Sequence, residues 1–176
     1  MNLNFTEVSE EVLVTTDSIA EVTKDDIQWL KEKALTNKRE RIRLCAHLST
    51  ENAVHEMLIV HTKGTYIPPH KHPGKSESFH MIEGDLDIVI FDDQGEIAQV
   101  ITMGDYRSGS HFYWRLSESN YHMVIPRSDV VVFHETTGGP FVLETSKNLA
   151  PWSPSEEDEP GQAVFSAQIE QRLLQL

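Results

Sequence analysis

The chain has 176 residues, 39% apolar and 24% charged, with 9 Gly and 8 Pro; this is the make-up of one globular domain with a core, and it excludes a disordered or fibrous chain. A net charge of -13 opposes non-specific nucleic-acid binding, and a single cysteine, Cys45, rules out an intrachain disulfide or a cysteine-rich zinc finger. No apolar run reaches the ~20 residues a bilayer requires, and the acids between Met1 and Asp17 disfavour a secretory leader, so the cytoplasm is the expected compartment, with no membrane partner.

Residues 1–40 read as an extension carrying one helix. In Thr23 to Lys38 the apolar Ile27, Leu30, Ala34 and Leu35 fall at helical spacing, with Thr23 as N-cap and Asp26 in the capping-box position. Across 41–150 the period changes to two, and ten short runs read as strands: RIRLCAHL, EMLIVH, TYIPPH, ESFHMI, LDIVIF, EIAQVIT, HFYWRL, YHMVI, DVVVFHE and FVLETSK. Turn residues such as Glu83-Gly84-Asp85 and Gly138-Gly139-Pro140 separate them, so the domain is all-β, a sandwich or a barrel. Residues 151–176 read as an acidic, Pro-rich linker followed by a short helical tail, AVFSAQIEQRLLQL. The tail carries Val164, Phe165, Ile169, Leu173 and Leu174, and the N-terminal helix has its own apolar stripe. Both need cover, either by packing on their own barrel or from a partner subunit, and a two-fold homodimer is the expected source.

The histidines carry the chemistry. On a strand, residues i and i+2 share a face, so the imidazoles of His70 and His72 converge on one point. The turn at Pro73-Gly74 then returns Glu77 towards it. Two neutral nitrogens and a carboxylate make a site for one divalent transition ion.

Gly64, His70, His72, Glu77 and Gly84 fulfil Gly-x5-His-x-His-x4-Glu-x6-Gly, which resembles the first signature motif of the cupin superfamily. The second motif of that superfamily is absent in recognisable form. The resemblance places the last metal-binding histidine late in the barrel, which selects His122 in YHMVIP, with His111 and His134 as competitors. RIRLCAHLS, YIPPHKHPGKSESFHMIEG, FDDQGEI and FHETTGGPF are similar to the WbuC-type cupin metalloproteins over about residues 20–155. That resemblance implies a single-domain cupin jelly-roll β-barrel, a bound Fe, Mn, Zn or Ni ion, pairing as a homodimer, and a role in bacterial surface-polysaccharide or sugar metabolism.

Other residues are candidates for contact with a substrate. Residues 38–75 hold seven basic residues against three acids, a +4 segment in an acidic protein. Within it Arg41 and Arg43 share one face of their strand and suit an anion. His111, Tyr113 and Arg115 share a face in the same way. Tyr66 has the parity of His70 and His72 and is expected to act as acid or base near the metal. The expected function is a metal-dependent isomerase, epimerase or lyase acting on a small anionic sugar derivative. An Fe(II)-dependent dioxygenase and a non-catalytic sugar-binding sensor are the alternatives.

Overall fold

The computed structural model describes residues 3–176. Eight strands make the central sandwich: β4 (Val54–Thr62), β5 (His70–Lys71), β6 (Glu77–Glu83), β7 (Leu86–Phe91), β8 (Ile97–Met103), β9 (Tyr113–Leu116), β10 (Tyr121–Pro126) and β11 (Val130–Gly138). They alternate between two antiparallel sheets, in the orders β4-β11-β6-β9 and β5-β10-β7-β8. This is the jelly-roll arrangement that the resemblance implies, formed as a sandwich of two open sheets rather than a closed barrel.

Three more strands widen the first sheet to seven: β1 (Phe5–Ser9), β2 (Val12–Thr15) and β3 (Arg41–Cys45), added beyond β4. A short β12 (Asn148–Leu149) extends the second sheet beyond β5. The β1–β2 hairpin lies in the segment that reads as an extension. Its runs, FTEVS and VLVT, are short and lack a clear apolar and polar alternation, so period-two patterning does not show.

Alternation along each strand divides the apolar residues among three cores. Met57 and Ile59 of β4, Phe79 and Met81 of β6, Ile88 and Ile90 of β7, Val124 of β10 and Val131 and Phe133 of β11 point between the sheets. Val60, Val132, Ile42 and Leu44 face outward, under helix α1 (Lys24–Ala34), which buries Leu30 and Ala34 against them. Val89, Phe91, Tyr121 and Met123 face outward on the second sheet, where helix α2 (Glu159–Leu173) covers them with Phe165, Ile169 and Leu173. Burying one such side chain fully contributes about 2 kcal/mol. Sheets of the same chain thus cover Leu30, Ala34 and Ile169 of the apolar stripes from which a dimer is expected, while Leu35, Val164 and Leu174 stay exposed.

Both helices differ from expectation at one end. Thr23 and Asp26 form the capping box, but α1 stops at Ala34 rather than Lys38. Asn37 turns the chain there, its side-chain carbonyl accepting from Arg41 N–H at 3.2 Å. The second helix starts earlier than its apolar run. Asp158 caps it by accepting from Gly161 N–H at 3.0 Å, and Pro160 occupies the first turn, where a missing N–H costs nothing.

Two expected strands are not formed as read. Only the end of TYIPPH is a strand, because Pro68 and Pro69 cannot donate to a ladder. FVLETSK is a turn in which Ser146 N–H donates to Val142 C=O at 2.8 Å and Ser146 Oγ accepts from Val142 N–H at 2.7 Å. At the β6–β7 turn Gly84 has φ +78°, and a Cβ there would lie 2.6 Å from the Val130 carbonyl oxygen. Only glycine fits. No helix among the described residues is long and apolar enough to cross a membrane.

Candidate metal centre

The two sheets bring four side chains to one point. His70 on β5 lies directly opposite His122 on β10 in the antiparallel register. His72 follows β5 by one residue, and Glu77 opens β6 in the facing sheet. One donor atom from each of the four lies within 4.8 Å of the others. An ion with bonds of ~2.1 Å holds its ligands at most ~4.2 Å apart, so the cluster is near the size it would need.

The ring orientations are fixed from outside. His70 Nδ1 lies 2.8 Å from Pro68 C=O, His72 Nδ1 2.7 Å from Ser146 C=O, and His122 Nδ1 3.1 Å from Asn120 C=O. A carbonyl only accepts, so each Nδ1 is the donor and each ring turns its Nε2 inward. His122 Nε2 approaches Glu77 Oε2 at 2.9 Å and His72 Nε2 approaches Glu77 Oε1 at 3.2 Å. Yet His72 Nε2, His122 Nε2 and Glu77 Oε2 are buried with no hydrogen bond of good geometry to any described residue. Buried polar atoms left unspent and aimed at one another are what a cation would satisfy. Three imidazoles and one carboxylate suit Fe, Mn, Zn or Ni better than Mg or Ca.

Electrostatics favour the deprotonated donor set at two positions. Burial, and then the Lys147 charge, hold the His70 ring well below its usual value. Burial pushes Glu77 up, but His122 and His72 beside it outweigh this and keep the carboxyl well below the usual range. Burial opposes a proton on His72, and the Glu77 carboxylate outweighs that, raising it. Trp114, its ring 5.8 Å from His122, and Phe79 wall the cluster with apolar surface.

The other sequence candidates separate. Arg41 and Arg43 both take the inner face of β3, but the fork of Arg41 is already filled. Its Nη1 and Nη2 donate to Glu156 at 3.0 and 3.2 Å, and its Nε donates to Glu11 at 3.0 Å. Arg39 bonds the same two carboxylates. Arg43 is exposed and makes no ion pair with a described residue.

Tyr66 is a correction. With residues 65–69 outside any strand its parity argument fails, and the ring packs in the outer core under α2, its O–H donating to Pro154 C=O at 3.1 Å. Burial pushes that phenol up to about 12. Tyr113 and Arg115 are a second correction, because β9 turns Trp114 and Leu116 inward and leaves the odd residues exposed. His111 is exposed too, with Nδ1 on Thr102 C=O at 3.1 Å, and His134 reaches only Glu56, at 4.0 Å. The structure brings neither competitor of His122 to the cluster. Lys71 pairs with Asp93 at 2.9 Å outside it, and Cys45 lies buried in the inner core.

Four further polar residues escaped the sequence reading. Ser146 is a buried hub, holding His72 through its carbonyl while its hydroxyl accepts from Lys75 Nζ at 3.1 Å. Glu135 shares the inner parity of Val131 and Phe133, and burial and then the Glu77 charge push it up to about 8. His61 shares the parity of Met57 and Ile59. A polar residue in step with a core face was the available signal for both. Lys147 follows a turn and gave none. Two surface clefts, of about 160 Å³ beside α1 and about 310 Å³ around Asp93 and Tyr121, contain none of the four donors.

The sequence model of a family described as a domain of unknown function (DUF6016) matches residues 22–103, just under half of the chain. No curated protein matches the sequence. Among solved structures, protein SO0799 from Shewanella oneidensis superposes with a TM-score of 0.54 at 12% identity, over 74% of this chain and 85% of its own. The cupin domain of Schizosaccharomyces pombe Cnp3 gives 0.45 at 12% identity, over 58% of this chain and 66% of its own. Bacillus subtilis oxalate decarboxylase, studied for its Mn(II) centres, gives 0.44 at 17% identity, over 56% of this chain and 24% of its own. At these identities the likeness speaks for the fold alone: the chain is a single-domain, cupin-like β-sandwich with a helix on each outer face.

Proposed function

We propose that this protein is a metal-dependent enzyme that rearranges a small anionic sugar derivative by isomerase, epimerase or lyase chemistry. The observation that carries the metal part is the set of inward Nε2 atoms of His70, His72 and His122 around the ionised Glu77, each ring held by a backbone carbonyl. A bound divalent ion would supply Lewis acidity to a carbonyl or hydroxyl oxygen. The chain supplies the rest. Apolar Phe79 and Trp114 limit water, and Glu135, on the inner face beside Glu77, replaces Tyr66 as the side chain placed to move a proton. The sugar and its role in surface-polysaccharide metabolism rest on the resemblance of the motif strings.

Elemental analysis of purified protein, followed by incubation with nucleotide-sugar and sugar-phosphate pools, tests the reading. One equivalent of metal with a mass-neutral rearrangement or loss of water supports it. Oxygen uptake by the iron-loaded protein would replace it with a dioxygenase, and a bound but unchanged sugar with a sensor.

A further inference from the structure

The three rings of the cluster are not held alike. His70 and His122 each lean on a carbonyl two residues earlier in their own stretch of chain, at Pro68 and Asn120. His72 leans on Ser146, seventy-four residues away, at 2.7 Å. It is also the partly open ring, with 16% of its side chain exposed against none of His122. Two rings are thus aimed by their own strands and the third by a distant loop.

That loop, residues 139–146, is fixed at both ends. Near its start, Gly139 N–H donates to Ala53 C=O at 2.9 Å and Phe141 N–H donates to Thr50 C=O at 2.8 Å, tying it to the turn before β4. At its end Ser146, only 4% exposed, donates its N–H to Val142 C=O at 2.8 Å, and its Oγ accepts from Val142 N–H at 2.7 Å. These bonds close the turn on itself. The Ser146 hydroxyl nevertheless accepts a further bond, from Lys75 Nζ at 3.1 Å, and the same ammonium donates to Pro140 C=O.

Lys75 belongs to the turn that follows His72, where its backbone N–H donates to His72 C=O at 3.3 Å. The contacts therefore form a closed circuit: His72 ring to Ser146 carbonyl, Ser146 hydroxyl to Lys75 ammonium, Lys75 backbone to His72 backbone. A turn already closed by two Val142–Ser146 bonds does not need the ammonium for its own shape. What the ammonium adds is a fixed distance between the loop and the His72 turn. The outer partner of a metal-binding imidazole sets its orientation and donor strength, and losing it costs roughly 10–100-fold in metal affinity.

We infer that Ser146 and Lys75 are positioning residues, a clamp through which the 139–146 loop aims His72 at the metal. The inference rests on the metal-binding reading of the cluster, and it makes His72 the one histidine there whose aim depends on a remote segment.

Nitrogen-15 NMR of the histidine rings in the full chain, metal-free and zinc-loaded, tests it together with zinc affinity from chelator competition. Wild type should show protected Nδ1 protons on His70, His72 and His122. In Ser146→Ala and Lys75→Met the His72 signal alone should be lost to exchange, and zinc affinity should fall about tenfold or more. Lys75→Arg should restore both. Lys71→Met, which breaks a pair with Asp93 outside the cluster, should change neither. Lys75 is half-buried, so its variant remains informative if Ser146→Ala fails to fold. A folded Lys75→Met protein that keeps the His72 signal or the wild-type zinc affinity overturns the clamp. So does simultaneous loss of all three signals, which would mean general loosening. Wild type that takes up no zinc sinks the metal reading instead, and the His72 signal of the metal-free protein then decides the clamp by itself.

Discussion

The metal cluster and the Arg39–Arg41 network are both dense in charge, both straddle elements distant in sequence, and both looked functional from the sequence. They differ in what is left over. In the network, Glu11 and Glu156 satisfy the two guanidinium groups from two directions, and Glu156 meets Arg41 in a bidentate pair. In the cluster, backbone carbonyls fix the rings by their outer nitrogens and leave the inner ones unspent. A polar group that has used its donors on its own chain holds the fold together. One that is oriented yet unsatisfied is set up to bind.

The largest expected effect breaks this comparison at the cluster. His70→Ala and His122→Ala should each lower metal content from one equivalent to near zero by elemental analysis, because an incomplete donor set loses most of its affinity. In the wild type, metal at a hundredfold excess over its Kd should stabilise the fold by about 2.7 kcal/mol, a gain the variants lack. Full metal content in His70→Ala would place the site elsewhere.

How much of this was readable in advance depended on how far local pattern reached. His70, His72 and Glu77 lie eight residues apart or less, across a single turn, so spacing alone brings them together. His122 is fifty residues beyond His70, and only the resemblance pointed to it; the register opposite His70 comes from strand pairing. Tyr66 and the pair Tyr113 and Arg115 went wrong for two separate reasons. Parity means nothing outside a strand, and within β9 it says which residues share a face without saying which face is inside. The N-terminal hairpin gains its pairing from β3, a parallel neighbour nearly thirty residues later, which no local window contains. Lys147 and Ser146 sit in a turn, where alternation gives no orientation at all.

A second prediction sharpens the contrast through pH. Burial, with Arg41, Lys147 and Arg43 facing it, pushes His61 down to about 3. An unfolded histidine takes its proton near 6.5, so between about 6.5 and 3 the unfolded chain binds more protons and stability falls with falling pH. The loss from this one group is on the order of 5 kcal/mol at most, at 1.36 kcal/mol per unit. His70 and Glu77, both held low, push in the same direction, so the comparison must be with a variant. Metal-free His61→Phe should lose less stability than metal-free wild type when denaturant melts are compared at pH 7 and pH 4. Parallel losses would mean that His61 is already paired.

The network itself should respond as structure. Arg41→Lys keeps the charge but gives up the fork to Glu156, and a partly buried bidentate pair is worth about 1 kcal/mol. Chemical denaturation should show that loss while affinity for phosphate or succinate, as probes of the proposed anionic substrate, stays at the wild-type value. A large fall in anion affinity with unchanged stability would return Arg41 to the binding site.

The smallest effect is expected at Tyr66. Its hydroxyl donates to the Pro154 carbonyl and its ring packs under α2, so Tyr66→Phe removes one hydrogen bond and leaves the apolar contact intact. The net cost of such a bond is about 1 kcal/mol or less. Since the ring lies on the outer side of the second sheet and the donor cluster between the sheets, neither metal content nor turnover of whatever sugar substrate is found should change. The phenol is also pushed up to about 12 by burial, which disfavours the ionised form it would need as a base. A pH–rate profile measured on Tyr66→Phe with the alkaline limb intact fits this placement. Loss of that limb, with metal retained, would mean the 65–69 segment swings its tyrosine inward during the reaction.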